Sequence, residues 1–355
     1  MNDTKILSGK DMMKEIDLKD KTGELIEYID RFHSANVFVI GDIILDEYIW
    51  GDVSRISPEA PVPVVEIKEE TKRLGGAANV VHNIISLGGK SILCGVIGED
   101  DTGRELKAML KGLGLTTDGI LIDPGRYTSI KTRVVARNQQ VVRFDRETRG
   151  TINPESTERL LNFLKERMDD IDAVIVADYG KGIISPQLME GLRAFLADSK
   201  IILAVDPKTD HFKYYKGIDV ITPNHNEAGA YCRFEIVDEE TLDKAGRKML
   251  DELNCKCVLI TQGKDGMTLF EKGEDPYHIP TVARKVFDVS GAGDTVIGTL
   301  CLGLASGMDR KSAAVISNFA AGIVVGEVGT SVVTAKELKD VINRRWSRFH
   351  PLNGD

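Results

Sequence analysis

From residue 155 onward the chain alternates short apolar runs with amphipathic segments, and this pattern constrains the fold more than any other feature. The runs "AVIVAD", "IILAVD", "VITPN" and "CVLIT" are separated by segments of helical periodicity near 155–168, 185–197 and 238–253. Short apolar runs between helices are strands buried on both faces, and their alternation predicts a parallel sheet covered by helices on either side. Two further runs, "NVFVIGD" (36–42) and "SILCGVIG" (91–98), extend the same sheet. Between and after them lie a helix opened and closed by glycine pairs, "GGAANVVHNIISLGG", and an amphipathic helix, "DTGRELKAMLKGLG". Ligands of such sheets bind beyond the C-terminal strand ends. There the sequence places Asp42, Asp178, Asp206, Asn224 and Thr261.

Two segments break the pattern. "YIWGDVSRISPEAPVPVVEI" carries three prolines, which disfavour a central strand and predict edge strands or a flap outside the main sheet. "RYTSIKTRVVARNQQVVRFDRE" (126–147) is rich in β-formers and basic residues, with "RNQQ" as a hairpin turn. Together they predict a small β-sheet lid from about 46–70 and 126–147. The lid is inserted in one α/β domain over 35–345, with a tail at 346–355. Residues 1–34 read as an N-terminal extension whose later part, "TGELIEYIDRF", is helical with Thr22 as its cap.

The formal net charge of -9 argues against nonspecific binding to nucleic acid or to an anionic membrane surface. No run approaches the ~20 apolar residues needed to span a bilayer. The first 30 residues are charged throughout, without an apolar signal-peptide core, which predicts a cytoplasmic protein. Five cysteines in apolar contexts do not form a disulfide framework. The C-x-C pair Cys255/Cys257 is read as part of a strand running into "CVLIT" rather than as a metal site.

The stretch "FDVSGAGDTVIG" (287–298) places Gly291, Ala292 and Gly293 ahead of an apolar helix, with Asp294 in its first turn. Bare N–H groups at a helix N-terminus favour an anion. A carboxylate beside an anion has a purpose if it removes a proton, and phosphoryl transfer to a hydroxyl needs such a base together with an anion hole. The alternative, that Asp294 merely complements the helix dipole, stays open on these residues alone. Gly75 and Gly76 allow close approach to a ligand, and Asn79 projects from the following helix turn. No G-x-x-x-x-G-K-[ST] motif is present, which excludes a P-loop enzyme, and no G-x-G-x-x-G follows the first strand, which excludes a dinucleotide-binding dehydrogenase.

With "GGAAN" (75–79), "NHNE" (224–227), "TQGKDG" (261–266) and "DVSGAGD" (288–294) in this order, the chain resembles the ribokinase-like (PfkB) carbohydrate kinases from about 35 to 345. The resemblance implies a three-layer α/β/α sandwich with a mainly parallel central sheet and a β lid. A narrower likeness is carried by "GDIILDEYIWGDVSRISPEAPVPVV", "RNQQVVRFD", "DPK" and "TPN". These look like the heptose 7-phosphate kinase branch, whose members phosphorylate the anomeric C1 hydroxyl for lipopolysaccharide core synthesis. Many relatives carry a fused nucleotidyltransferase with an H-x-G-H motif, absent from these 355 residues, which implies the kinase part alone. Val289 stands where the family often has Thr, and residues 1–34 have no family counterpart.

By this resemblance Asp294 is the base, and Gly291, Ala292 and Gly293 form the anion hole. ATP is the donor. Asn224, His225, Asn226 and Glu227 serve its phosphates, Glu227 organising Mg2+ through water, and Thr261, Gly263, Gly266 and Asn318 shape the nucleoside side. Lys208 reaches phosphate. The sugar lies among Asp42, Asp46, Gly75, Gly76, Asn79 and the lid. Of the lid cations Lys131, Arg133, Arg137 and Arg143, the two arginines Arg133 and Arg143 are the leading candidates for the sugar phosphate, since arginine matches phosphate in bidentate fashion; solvated lid charges are the alternative. Asp288, Ser290, Gly329 and Ser331 match the position of a monovalent cation, potassium. The resemblance also implies a homodimer joined through the lid, burying the apolar segment 60–67. Other acceptors (fructose 6-phosphate, ribose, a nucleoside) and a catalytically silent sugar- or nucleotide-binding regulator remain alternatives.

Overall fold

The computed structural model describes residues 22–349 except 138, 284, 285, 287 and 328, with only the backbone course of 345–349. Residues 1–21 of the N-terminal extension, Asn138 of the hairpin turn, Phe287 and residues 350–355 of the tail lie outside the described residues. The chain opens on α1 (Thr22–Arg31), β1 (Asn36–Gly41) and two long strands, β2 (Ile43–Ile56) and β3 (Pro63–Gly76). Next come α2 (Ala77–Ser86), β4 (Lys90–Gly98), α3 (Asp101–Gly112) and β5 (Ile120–Asp123), then the strand pair β6 (Ser129–Ala136) and β7 (Gln139–Arg146). An alternating run follows: α4 (Pro154–Lys165), β8 (Ala173–Ala177), α5 (Pro186–Leu196), β9 (Ile202–Asp206), β10 (Val220–Ile221), α6 (His225–Cys232), α7 (Glu239–Leu253) and β11 (Cys257–Thr261). The chain closes with β12 (Met267–Glu271), β13 (Tyr277–Ile279), α8 (Ala292–Ala305), α9 (Arg310–Val324) and α10 (Ala335–Phe349).

The main sheet has nine strands in the order β13-β12-β11-β10-β9-β8-β1-β4-β5. It is parallel apart from β12 and β13, which pair antiparallel. The central strands are apolar on both faces because helices cover both: β1 and β8 are buried almost throughout. One core layer joins α1, α2, α8, α9 and α10 to the sheet, and the other joins α4, α5 and α7. This is the α/β sandwich expected from the strand–helix alternation. Gly41 is required where β1 meets β8, because a Cβ there would lie 2.1 Å from the Ala177 carbonyl oxygen.

Helix α1 packs into the first core layer through Leu25 and Ile29, with Phe32 of the following turn beside them, and its Asp30 pairs with Lys339 of α10. A second, four-stranded sheet has the order β3-β2-β6-β7. Pro58 and Pro61 fall in the connection between β2 and β3, and Pro63 begins β3, an edge strand that tolerates it. β2 pairs parallel with β6, which sets Asp46 beside Lys131 and Tyr48 beside Arg133. Among the described residues, no helix is long and apolar enough to cross a membrane.

Strand order reverses between β1 and β8, and crevices in such sheets open at that switch, beyond the C-terminal strand ends. The small sheet overhangs that end of the main sheet, since β2 leaves directly from β1 and β3 returns directly into α2.

Candidate active site

A cleft of about 670 Å³ opens between the small sheet and the strand ends. Its floor is the start of α8. Gly291 caps that helix with φ 79°, a left-handed conformation that glycine adopts without strain. A Cβ there would also sit 2.8 Å from the Asn79 side-chain nitrogen, whereas a Cβ on Gly293 would meet nothing within 4 Å. The first-turn N–H groups of a helix have no partner in its own ladder. Gly291, Ala292 and Gly293 all line the cleft, so the positive end of α8 is directed at it.

Asp294 lies at this floor and is 5 % exposed. Its Oδ2 accepts from Asn79 Nδ2 at 2.6 Å, and its Oδ1 accepts from the Tyr179 hydroxyl. Burial pushes its pKa up to about 6, and the nearby Asp46 charge adds to this; the Tyr179 and Asn79 bonds and Lys131 act in the opposite sense. The result is a carboxylate that is ionised at neutral pH yet holds its proton more readily than an exposed one. Such a group is suited to act as a base. A mere dipole complement needs neither burial nor two aligned donors.

Tyr179, which the sequence did not single out, and Asp206, one of the strand-end carboxylates it did, complete this floor. The Tyr179 hydroxyl, held far above its ordinary pKa by burial and then by Asp294, also lies 3.4 Å from Asp206 Oδ2. Burial, followed by the charges of Asp294 and Glu227, keeps Asp206 protonated well beyond the usual carboxylate range.

Asn224 and Glu227 form a reciprocal cap on α6. Asn224 Oδ1 accepts from the Asn226 and Glu227 N–H groups at 3.0 Å, and Glu227 Oε2 accepts from the Asn224 N–H at 3.0 Å. This cap sets Glu227 in the cleft wall beside His225 and Asn226. Burial raises the Glu227 carboxyl, and the charge of the exposed Lys208 works against that rise. Lys208 itself does not line the cleft. Thr261, Gly263, Gly266 and Asn318 do, and Asn318 Nδ2 donates to the Pro280 carbonyl at 2.8 Å. Ala283, Val286, Ala321 and Val325 give this end an apolar wall.

At the other end Asp46 and Gly76 line the cleft, and Asp46 forms a buried ion pair with Arg133 at 2.6 Å. A Cβ on Gly75 would lie 2.3 Å from Asp46 Oδ2, so glycine there makes room for the carboxylate. Asn79 is fully buried and its amide serves Asp294, with Asn83 behind it. The structure does not bring Asp42 or Arg143 to the cleft lining. The Asp42 carboxylate is buried and accepts from the N–H groups of Tyr179, Lys181 and Ile183, holding the loop that carries Tyr179. Arg143 lies on β7, the outermost strand, half-exposed and paired with Asp145 at 3.0 Å.

Asp288 accepts from the Ser290 N–H at 2.9 Å and from the Gly329 N–H at 3.0 Å, joining two loops beside the start of α8; Ser331 follows in the second of them. Arg73 of β3 reaches the same loop, donating to the Thr330 carbonyl at 3.0 Å.

This geometry is accompanied by a match to the family model described as pfkB family carbohydrate kinase over residues 34–337. The chain belongs to this family. It is 48 % identical over 311 residues to the bifunctional protein HldE of Desulfatibacillum aliphaticivorans, an alignment covering 88 % of this chain and 64 % of that protein. The protein of the same name from Geobacter sulfurreducens is 44 % identical over 305 residues, covering 86 % of this chain and 62 % of that one. The chain therefore spans less than two thirds of the length of these relatives. Among solved structures, Arabidopsis thaliana ribokinase complexed with ribose and ATP superposes with a TM-score of 0.70 at 19 % identity, covering 87 % of this chain and 98 % of that one. Escherichia coli phosphofructokinase-2 in complex with substrates and products gives 0.72 at 17 % identity, covering 87 % and 99 %. These two likenesses establish the ribokinase-like fold.

Proposed function

We propose that the chain is a cytoplasmic, ATP-dependent kinase that phosphorylates the C1 hydroxyl of D-glycero-D-manno-heptose 7-phosphate. The observation that carries this reading is the buried Asp294 carboxylate at the N-terminus of α8, facing a cleft that holds Asp46, Lys131 and Arg133 at one end and Glu227, Thr261 and Gly266 toward the other. The heptose acceptor is supported by the likeness of residues 41–65, 137–145 and 206–208 to heptose 7-phosphate kinases, and by the identity to proteins named HldE.

The donor set fits a nucleotide triphosphate. Gly291, Ala292 and Gly293 present backbone toward the cleft, Glu227 is an oxygen ligand suited to a hard cation, Asp206 would join it on giving up its proton, and the apolar wall at Val286 and Val325 suits a base. ATP with Mg2+, when bound, supplies the phosphoryl group and neutralises part of its charge. Asp294 removes the proton from the acceptor hydroxyl, and Tyr179 and Asn79 fix the orientation of its two oxygens. The positive end of α8 stabilises negative charge developing beside it. Asp46, clamped by Arg133, presents a fixed acceptor to sugar hydroxyls. The loops joined by Asp288, with Ser290, Gly329 and Ser331, are the proposed seat of potassium behind the anion hole.

The small sheet exposes Val62, Ile67, Val142 and Phe144, which supports a homodimer joined through it. A monomer by light scattering at micromolar concentration would contradict this. The acceptor is tested by ADP release with ATP, Mg2+ and heptose 7-phosphate, sedoheptulose 7-phosphate, fructose 6-phosphate or ribose. Turnover confined to the heptose is expected. Preference for another acceptor would overturn the substrate, and nucleotide binding without turnover on any of them would leave a regulator.

A further inference from the structure

Among the described residues lining the cleft, the lysines and arginines are Lys131, Arg133 and Lys264. Their surroundings separate them. Arg133 is committed to Asp46 in a buried pair and lies 5.2 Å over the Tyr48 ring. Removing it from Asp46 to serve a ligand would strand a buried carboxylate. Lys264 sits in the turn after β11, exposed, at the Thr261 and Gly266 end. Lys131 is different. Its cross-strand neighbours are carboxylates already paired elsewhere, Asp46 with Arg133 and Asp145 with Arg143, and no ion pair among the described residues includes Lys131. Its ammonium rests 5.4 Å from the centre of the Tyr179 ring. Burial lowers its pKa, and the charges of Lys181 and Arg133 lower it further against the pull of Asp46 and Asp294. A half-buried cation without a carboxylate partner is costly unless an anion completes it.

Its place relative to the base is informative. Tyr179 touches both groups, with Lys131 over its ring and Asp294 at its hydroxyl. The cation and the base therefore flank one side chain, so an acceptor with a hydroxyl at Asp294 can present its phosphate toward Lys131. Lys131 also pairs in register with Asp46 on β2, so a sugar hydroxyl bound at Asp46 lies beside Lys131.

We propose that Lys131, rather than Arg133 or Arg143, binds the acceptor's own phosphate and makes this cleft selective for phosphorylated sugars. This rests on reading the cleft as that of a sugar-phosphate kinase. The alternative use of the same charge, on the phosphoryl group in transfer, makes a different prediction, since that group is present whichever acceptor is used.

The test compares heptose 7-phosphate with unphosphorylated heptose in the wild type, Lys131→Met and Lys131→Arg. Both kcat/KM and acceptor binding by calorimetry without nucleotide are read. Losing one charge-assisted contact corresponds to about 10- to 100-fold. Lys131→Met should raise the KM and Kd for heptose 7-phosphate by that factor relative to heptose, leave the KM for ATP unchanged, and melt no lower than the wild type; Lys131→Arg should recover most of the lost discrimination. An equal loss on both acceptors would assign Lys131 to the transferring group and overturn the proposal. So would unchanged discrimination in Lys131→Met. A wild type that does not distinguish the two acceptors would overturn the sugar-phosphate reading itself, a result visible before any variant is made.

Discussion

Replacing Asp294 by Asn should make the protein more stable at neutral pH while abolishing its chemistry. The folded structure holds this carboxyl at about 6 against an ordinary 3.8, chiefly through burial. At about 1.36 kcal/mol per pKa unit, ionising it inside the fold costs ~3 kcal/mol at pH 7. Because the folded value is the higher one, the proton is released on unfolding between these two pH values. Stability from this group is complete below pH 3.8 and is lost as pH rises through about 6. An asparagine is neutral throughout. It can still accept from Tyr179, and a flip of the Asn79 amide re-pairs the other side, since Asn83 Nδ2 makes its shorter bond to the Asn79 backbone carbonyl at 2.9 Å. Allowing for that rearrangement, the gain is ~1–3 kcal/mol at pH 7, or ~2–4 °C in melting temperature for a chain of this size. Thermal unfolding of both proteins from pH 4 to pH 8 reads it. The two curves should converge near pH 4, draw apart as pH rises to about 6, and stay apart by a constant amount above it. A variant less stable than the wild type at pH 7 would refute the argument that burial of this charge is a standing cost.

Three further outcomes follow from the same geometry. The ratio kcat/KM should fall as pH drops through about 6, with a slope of one, because Asp294 must be ionised to take a proton; a profile flat down to pH 5 would remove it from that role. Gly291→Ala should lose turnover at least ~100-fold, since its Cβ would meet Asn79 at 2.8 Å. Its left-handed backbone should also cost ~1–3 kcal/mol of stability. Arg133→Met should destabilise by ~3–5 kcal/mol through the stranded Asp46, and the double change with Asp46→Leu should restore much of that, as measured by denaturant unfolding.

Much of the architecture was legible because it depends on pattern. Apolar runs alternating with helices specify a sheet covered on both faces, and polar residues at the strand ends marked the end where the cleft lies. The stretch from Gly291 to Asp294 was legible as the start of a helix, and the fold sets that start at the cleft floor. What pattern does not convey is which strand-end side chain turns inward. Asp42 and Asp206 both end strands, yet Asp42 is taken up by three loop amides while Asp206 lines the cleft. Tyr179 had a faint signal, an aromatic residue just after a strand with Gly180 and Gly182 beyond it, both at positive φ. Its contact with Asp294 joins residues 115 positions apart and needs the fold to be seen. The lid cations were ranked by side-chain chemistry, which favoured arginine. Ion pairing is invisible to that ranking: the register of β2 against β6 sets Asp46 opposite Lys131, yet it is Arg133, two residues on, that forms the ion pair with Asp46.

The central claim is that Asp294 is the base for the acceptor hydroxyl. It is tested most directly by ADP release from Asp294→Asn beside the wild type, with ATP binding to both followed by calorimetry. The account predicts a loss of about a hundredfold or more in turnover with nucleotide affinity unchanged. Turnover within tenfold of the wild type would contradict it.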